Sequence, residues 1–244
     1  MISFLPAPAI LPPELRIYAI GDVHGCDVAH AALLDQIAED YAARPVAEAI
    51  IIHLGDLIDR GPDSAAVLAR VAAGSPLGGE MINLRGNHEE LCLEALQFGG
   101  ESMRHWRRNG GDTCLADWGI PKRPEPPHIE NLIPPDQMAV LHGERLSYQR
   151  GGYIFVHAGI RPGVSIEAQD PHDLVWIRQP FLSWSDPLEA VVVHGHTPKD
   201  DPTVRVNRIG IDTGAVYGGR LTAVVLEESR MAFIQVPGPK KPRK

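Results

Sequence analysis

An α/β fold is predicted by two features of the sequence. Short apolar runs alternate with helix-like stretches through the first half, and the second half is rich in short strands. The alternation is that of βαβ units, so a largely parallel sheet is expected. At 244 residues, 44% hydrophobic and 22% charged, the chain suits one large domain or two small ones, and one core is the simpler reading.

Taken in order, residues 1–15 carry Pro6, Pro8, Pro12 and Pro13 and should form an extended arm outside the core. A single domain is expected over 16–236. Its first strands are expected at Arg16–Ile20, Ala49–Leu54 and Glu80–Leu84, alternating with helices at Asp27–Tyr41 and Pro62–Ala73. Pro62 suits a first helical turn, where the missing N–H would have had no intrahelical partner. Residues 98–150 break the rhythm with Gly99-Gly100, Gly110-Gly111 and prolines at 121, 124, 126, 127, 134 and 135, which reads as a helical cap with loops. A hairpin is expected between Arg145–Gln149 and Tyr153–His157, because Gly151 and Gly152 accept positive φ. Later strands are expected at Ala190–Val193, Val204–Val206, Arg208–Ile211, Leu221–Leu226 and Ala232–Val236. Residues 237–244, with Lys240, Lys241, Arg243 and Lys244, should be a frayed basic tail.

Lys and Arg number 23 against 31 Asp and Glu, a formal charge of −8, which argues against nucleic acid as a partner. No apolar run approaches the ~18 residues of a bilayer span, and the start lacks the pattern of a secretory signal, so no membrane partner and a cytoplasmic location are expected. Cys26, Cys92 and Cys114 are an odd number without close pairing, hence small buried hydrophobes rather than disulfides or a CxxC site.

Five apolar runs each end in groups able to bind metal: Asp22 and His24 in GDVHG, Asp56 in GDLIDRG, Asn87 and His88 in GNHEE, His157 in HAG, and His194 and His196 in HGHTP. In an α/β sheet such positions gather at the carboxyl ends of the strands. Each alone is a weak signal, because an Asp-Gly or a His behind a strand is usually a turn residue; all five together are strong. Imidazole, carboxylate and amide donors without thiolate suit two divalent ions, Mn²⁺ first, with Fe²⁺ or Zn²⁺ as alternatives. Clustered Asp22, Asp56 and Asp59 would repel one another without such cations. A pair of ions can turn bound water into hydroxide and brace an in-line attack on phosphorus.

GDVHG, GDLIDRG, GNHE, HAG and GHT, with LVWIR around Arg178 and IDTGA at 211–215, resemble the metal-dependent phosphoprotein phosphatases of the calcineurin-like metallophosphoesterases, over about residues 16–226. The resemblance is closest to small bacterial and phage serine/threonine phosphatases. It implies a central β-sandwich flanked by helices. It also implies Asp22 and His24 on a first metal, Asp56 bridging both, and Asn87, His157 and His196 on the second. By the same carry-over His88 donates a proton to the leaving oxygen, Asp59 orients its ring and keeps it protonated, and Arg60 and Arg178 grip the phosphoryl oxygens. A seryl alkoxide is a poor leaving group, so a positioned acid matters, and a guanidinium matches phosphate bidentately.

Spacing alone leaves His194 and His196 open as ligands; the GHT pattern selects His196 and leaves His194 a partly buried neighbour. His53 should pack or hydrogen-bond near the site, Glu89 and Glu90 should favour the positive end of a helix, and Tyr217 is a candidate substrate contact. Arg104, Arg107 and Arg108 around Trp106 read as a solvated helix face before an acidic-substrate surface. The expected substrate is a phosphorylated protein or a small phosphoester. A dinucleoside tetraphosphate hydrolase is the nearest rival, disfavoured because the likeness to those enzymes does not extend to Asp59. A phosphodiesterase is disfavoured by Pro198, where a further histidine would be expected. A phosphate-sensing module without catalysis is disfavoured by the intact ligand set.

Overall fold

The computed structural model describes residues 2–121 and 129–240. Pro124, Pro126, Pro127, Lys241, Arg243 and Lys244, named above, lie outside them. In chain order the strands are β1 (Leu5–Pro6), β2 (Leu15–Ile20), β3 (Glu48–His53), β4 (Glu80–Asn83), β5 (Ser147–Arg150), β6 (Tyr153–Val156), β7 (Val191–His194), β8 (Thr203–Val204), β9 (Arg208–Gly210), β10 (Arg220–Glu227) and β11 (Arg230–Pro237). The helices are α1 (Asp27–Ala43), α2 (Ser64–Ala72), α3 (Asn87–Phe98), α4 (Gly100–Trp106), α5 (Asp112–Asp117), α6 (Pro135–His142) and α7 (Pro171–Trp176).

The strands make two sheets, ordered β1-β11-β10-β2-β3-β4 and β5-β6-β7-β9-β8. A largely parallel sheet is therefore not what forms. The β2-α1-β3-α2-β4 stretch supplies parallel pairs, as do β6-β7 and β7-β9, but β10 enters antiparallel beside β2, and β11, β5, β8 and β1 also pair antiparallel. Apolar periodicity marks a strand and its buried faces but not its direction, which tight returns such as Arg150-Gly151-Gly152 decide.

Side-chain alternation builds three layers of core. Ile17 and Ala19 of β2, Ile50 and Ile52 of β3, and Val224 of β10 meet Phe155, Val193 and Ile209 between the sheets. Their alternates Tyr18, Ile20 and Ile51 pack under Leu33, Ile37, Val67 and Leu68 of α1 and α2, while Ile154 and Val192 pack against Leu174 and Phe181 on the far side. Strands buried on both faces read as unbroken apolar runs, which is why β2 and β3 stand out in the sequence.

Two local expectations change, and the solvated helix face is found for Arg104 and Arg108 but without Trp106. The arm is not outside the core: Leu11 is buried between the sheets, and Leu5 pairs with Met231 at the sheet edge. Pro62 precedes α2 instead of opening it, since Asp63 is the cap and its side chain accepts from Ala66 N–H. Trp106 is fully buried, while Arg104 and Arg108 pair with Glu101 on the outer surface. Among the described residues, no helix is long and apolar enough to cross a membrane.

Candidate metal centre

The loops leaving β2, β3, β4, β6 and β7 converge on one cleft of about 280 Å³, lined by Asp22, His24, Asp56, Asn87, His196 and Arg178 among others. Two groups of ligand atoms, each within 4.8 Å of one another, share one residue: His24, Asp56 and His88, and Asp56, His157 and His196. Asn87 joins the second, with its Oδ1 3.0 Å from His157 Nε2 and 2.9 Å from His196 Nδ1. Asp22 lines the same cleft, and its carboxylate accepts from the His196 N–H at 3.1 Å. The expected ligands thus line or adjoin one cleft; on the first side, the close triad is completed by His88, and Asp22 belongs to neither close group.

The backbone is strained to achieve this. His24, Asp56, Asp59, Arg60 and His196 all have φ between 46° and 73°, the left-handed region that side chains other than glycine's avoid. Their glycine neighbours allow the close approach: a Cβ on Gly195 would collide with Asp22 Oδ1, and one on Gly86 with Asp56 Oδ1.

Donor chemistry fits cations at this point. His24 Nδ1 donates to the Ile58 carbonyl and His157 Nδ1 to that of Leu54, both at 2.9 Å, so each ring presents an Nε2 lone pair inward. That of His157 faces the oxygens of Asn87 and Asp56 at 3.0 and 3.5 Å, acceptor against acceptor, an arrangement that a cation between them would reconcile. That of His24 is already met by a positive group, the Arg60 guanidinium at 2.8 Å. Burial pushes His157 down to about 3 and His196 to about 2 and lowers His24 strongly, which keeps the rings neutral as metal binding requires. Burial, then repulsion from nearby carboxylates, Asp212 and Asp56 for Asp22 and Glu89 and Asp212 for Asp56, raises both well above the usual carboxylate range.

His88 and Asp59 form a buried dyad, Nδ1 to Oδ2 at 2.6 Å. Burial pushes His88 down to about 3 and Asp59 up to about 7, so the carboxylate does not simply keep the ring charged. The pair, and not the ring alone, retains a proton toward neutral pH. Whether that proton sits on the ring or on Asp59, Nε2 bears a hydrogen, and Nε2 has no partner. Trp106 Nε1 and the Cys114 thiol, both from the helical insert, donate to Asp59 at 2.8 and 3.0 Å.

Several contributors were not read from the sequence. Glu89 does more than favour a helix end: buried, it accepts the backbone N–H groups of Asp56, Leu57, Ile58 and Gly86 at 2.8 to 3.2 Å, pinning the GDLID loop. Asp212 is a third buried carboxylate of the cleft, and its position behind the run 208–211 carried the same signal as the other five. Glu90 accepts from Trp176 Nε1 at 2.6 Å and so fixes an aromatic wall of the cleft. Arg60 and Tyr217 share the rim, 5.8 Å apart, with Tyr217 half-exposed. His53 hydrogen-bonds to Asn83 and His30, and His194 is almost fully buried.

The sequence matches the family described as calcineurin-like phosphoesterase over residues 15–228. It is 28% identical to serine/threonine-protein phosphatase 1 of Salmonella typhimurium, over 85% of this chain and 90% of that one. It is 34% identical to the symmetrical bis(5'-nucleosyl)-tetraphosphatase of Aromatoleum aromaticum over 76% of its length, spanning 59% of that relative. A solved chain provisionally named a diadenosine tetraphosphatase superposes with a TM-score of 0.65 at 22% identity, covering 97% of each chain.

Proposed function

Since this chain belongs to the calcineurin-like phosphoesterases, we propose that it hydrolyses phosphoserine and phosphothreonine in proteins, using two divalent ions, Mn²⁺ foremost. Asp22, His24 and Asp56 would hold one ion, and Asp56, Asn87, His157 and His196 the other. Bound there, the ions supply positive charge to the phosphoryl oxygens and lower the pKa of water. Arg60 and Arg178, exposed at the mouth, bind the remaining oxygens. His88 delivers its Nε2 proton to the departing oxygen, and Asp59 fixes the ring and replenishes the proton through Nδ1.

The dyad carries this reading. A serine or threonine alkoxide leaves badly and needs a proton at the moment of cleavage, whereas a nucleotide released from a tetraphosphate leaves well without one. Three unpaired, buried cysteines support the cytoplasm as its compartment. The purified protein, assayed with Mn²⁺, Fe²⁺, Zn²⁺ and Mg²⁺ in turn, should release phosphate from phosphoserine peptides with a higher kcat/KM than it shows for diadenosine tetraphosphate. The reverse ranking would assign the dinucleotide reaction, and no turnover of either would leave a phosphate-sensing module.

A further inference from the structure

A second cavity, about 330 Å³, lies beside the metal cleft on the outer face of the second sheet. One thickness of chain divides them. His196 and Pro198 face the cleft while Thr197 and Lys199 face the cavity, Arg178 and Gln179 divide in the same way, and Asp212 lines both.

Lys199, Arg205 and Arg208 bring positive charge to this wall. Arg208 is engaged by the carbonyls of Leu182 and Trp184, but Lys199 and Arg205 make no ion pair among the described residues. In a chain of net charge −8, three cations set against the single carboxylate of Asp212 in this lining favour an anion. The same cavity is lined by His194, 3% exposed. Its Nδ1 donates to the Gly195 carbonyl at 3.0 Å, which leaves Nε2 an acceptor, and neither that nitrogen nor Thr197 Oγ1 has a partner. Buried polar atoms left unpaired are costly enough to call for a ligand.

We propose that this cavity is a binding site for hydrogen phosphate. The occupant must bring negative charge to Lys199 and Arg205 and, at the same time, a hydrogen for His194 Nε2; Thr197 can donate to it, and Asp212 can accept the second hydrogen of the singly charged form. Inorganic phosphate at neutral pH meets both demands, because it is an anion that always retains an O–H. Sulfate meets only the first. A phosphodiester, or a fully ionised phosphomonoester on a substrate, likewise lacks the hydrogen. That the anion reaching this cavity is the enzyme's own product rests on the hydrolytic reading above, but the binding does not.

The test is equilibrium binding of radiolabelled orthophosphate to the Mn²⁺-loaded protein, in the wild type and in the Lys199→Ala/Arg205→Ala double variant, whose altered side chains lie outside the reaction centre. Two phosphates per chain are expected in the wild type. The variant should retain one, with the affinity of the other lowered by at least about tenfold. Excess sulfate should displace phosphate from the metal cleft but not from the second site, and Thr197→Val should weaken that site alone. One phosphate per chain in the wild type that the double substitution leaves unchanged, or two of unchanged affinity in the double variant, overturns the site; one phosphate that the double substitution weakens overturns phosphate binding in the metal cleft and leaves this site standing. Equal displacement by sulfate overturns the requirement for a hydrogen. A raised KM for a doubly phosphorylated peptide, with orthophosphate stoichiometry unchanged, assigns the cavity to a second phosphate of the substrate instead. Loss of phosphoester hydrolysis with the stoichiometry intact would remove the proposed reaction and leave this site standing.

Discussion

At the scale of single residues, the dyad and its supports give the sharpest expectations. Trp106 and Cys114 hold Asp59 from behind, and Asp59 holds His88. Trp106→Phe keeps the ring but removes the N–H, so kcat on phosphoserine peptides should fall by about tenfold or more, while p-nitrophenyl phosphate, whose leaving group needs little protonation, loses much less. Parallel kcat measurements on the two substrates check this, and an equal loss would mean that the change acts on the fold and not on the proton. Glu89→Gln should weaken binding of the ions by roughly 10- to 100-fold, because it disturbs the loop that presents Asp56; metal titration by calorimetry reads it out. The candidate ligands that gather in the cleft were legible in the sequence because each follows an apolar run and has a glycine within two residues. Trp106, Cys114 and Glu89 were not, since their contacts span 47, 55 and 31 to 33 residues of chain and obey no local period.

At the scale of elements, β2, α1, β3, α2 and β4 could be read almost to their ends, because period and length agree with burial. The arm could not. Proline content suggested an extended segment outside the core, yet β1 forms at the edge of the first sheet and Leu11 fills a place between the two sheets. Leu11→Ala should therefore destabilise the protein by about 2–5 kcal/mol, as for a core leucine, measured as a fall in the urea midpoint at constant slope; a loss under about 0.5 kcal/mol would return the arm to the surface. The break in rhythm over residues 98–150, where α4, α5 and α6 form, was legible. That it supports the dyad became visible only with Trp106 seen from inside.

At the scale of the whole molecule, the two sheets hold together a set of acids that resist ionisation. Asp22 and Asp56 are raised by burial and then by neighbouring carboxylates, Asp212 is raised by burial, and Asp59 and Glu89 stand near 7. A carboxylate whose pKa is higher when folded contributes fully below its unfolded value of about 4, and that contribution is lost as pH climbs through the folded value. The metal-free protein should thus lose stability between about pH 4 and 8 from these groups, and divalent ions, which replace the protons, should offset the loss. Differential scanning fluorimetry should show a larger Mn²⁺-induced rise in Tm at pH 8 than at pH 6. An equal or smaller rise would place the ions elsewhere. The left-handed backbone at His24, Asp56, Asp59, Arg60 and His196 sets a limit on improving such a protein. Replacements that relax those torsions, glycine above all, should make a sturdier but idle molecule, so attempts at heat resistance have room in the cores and arm but none in the loops to which the chemistry is assigned above.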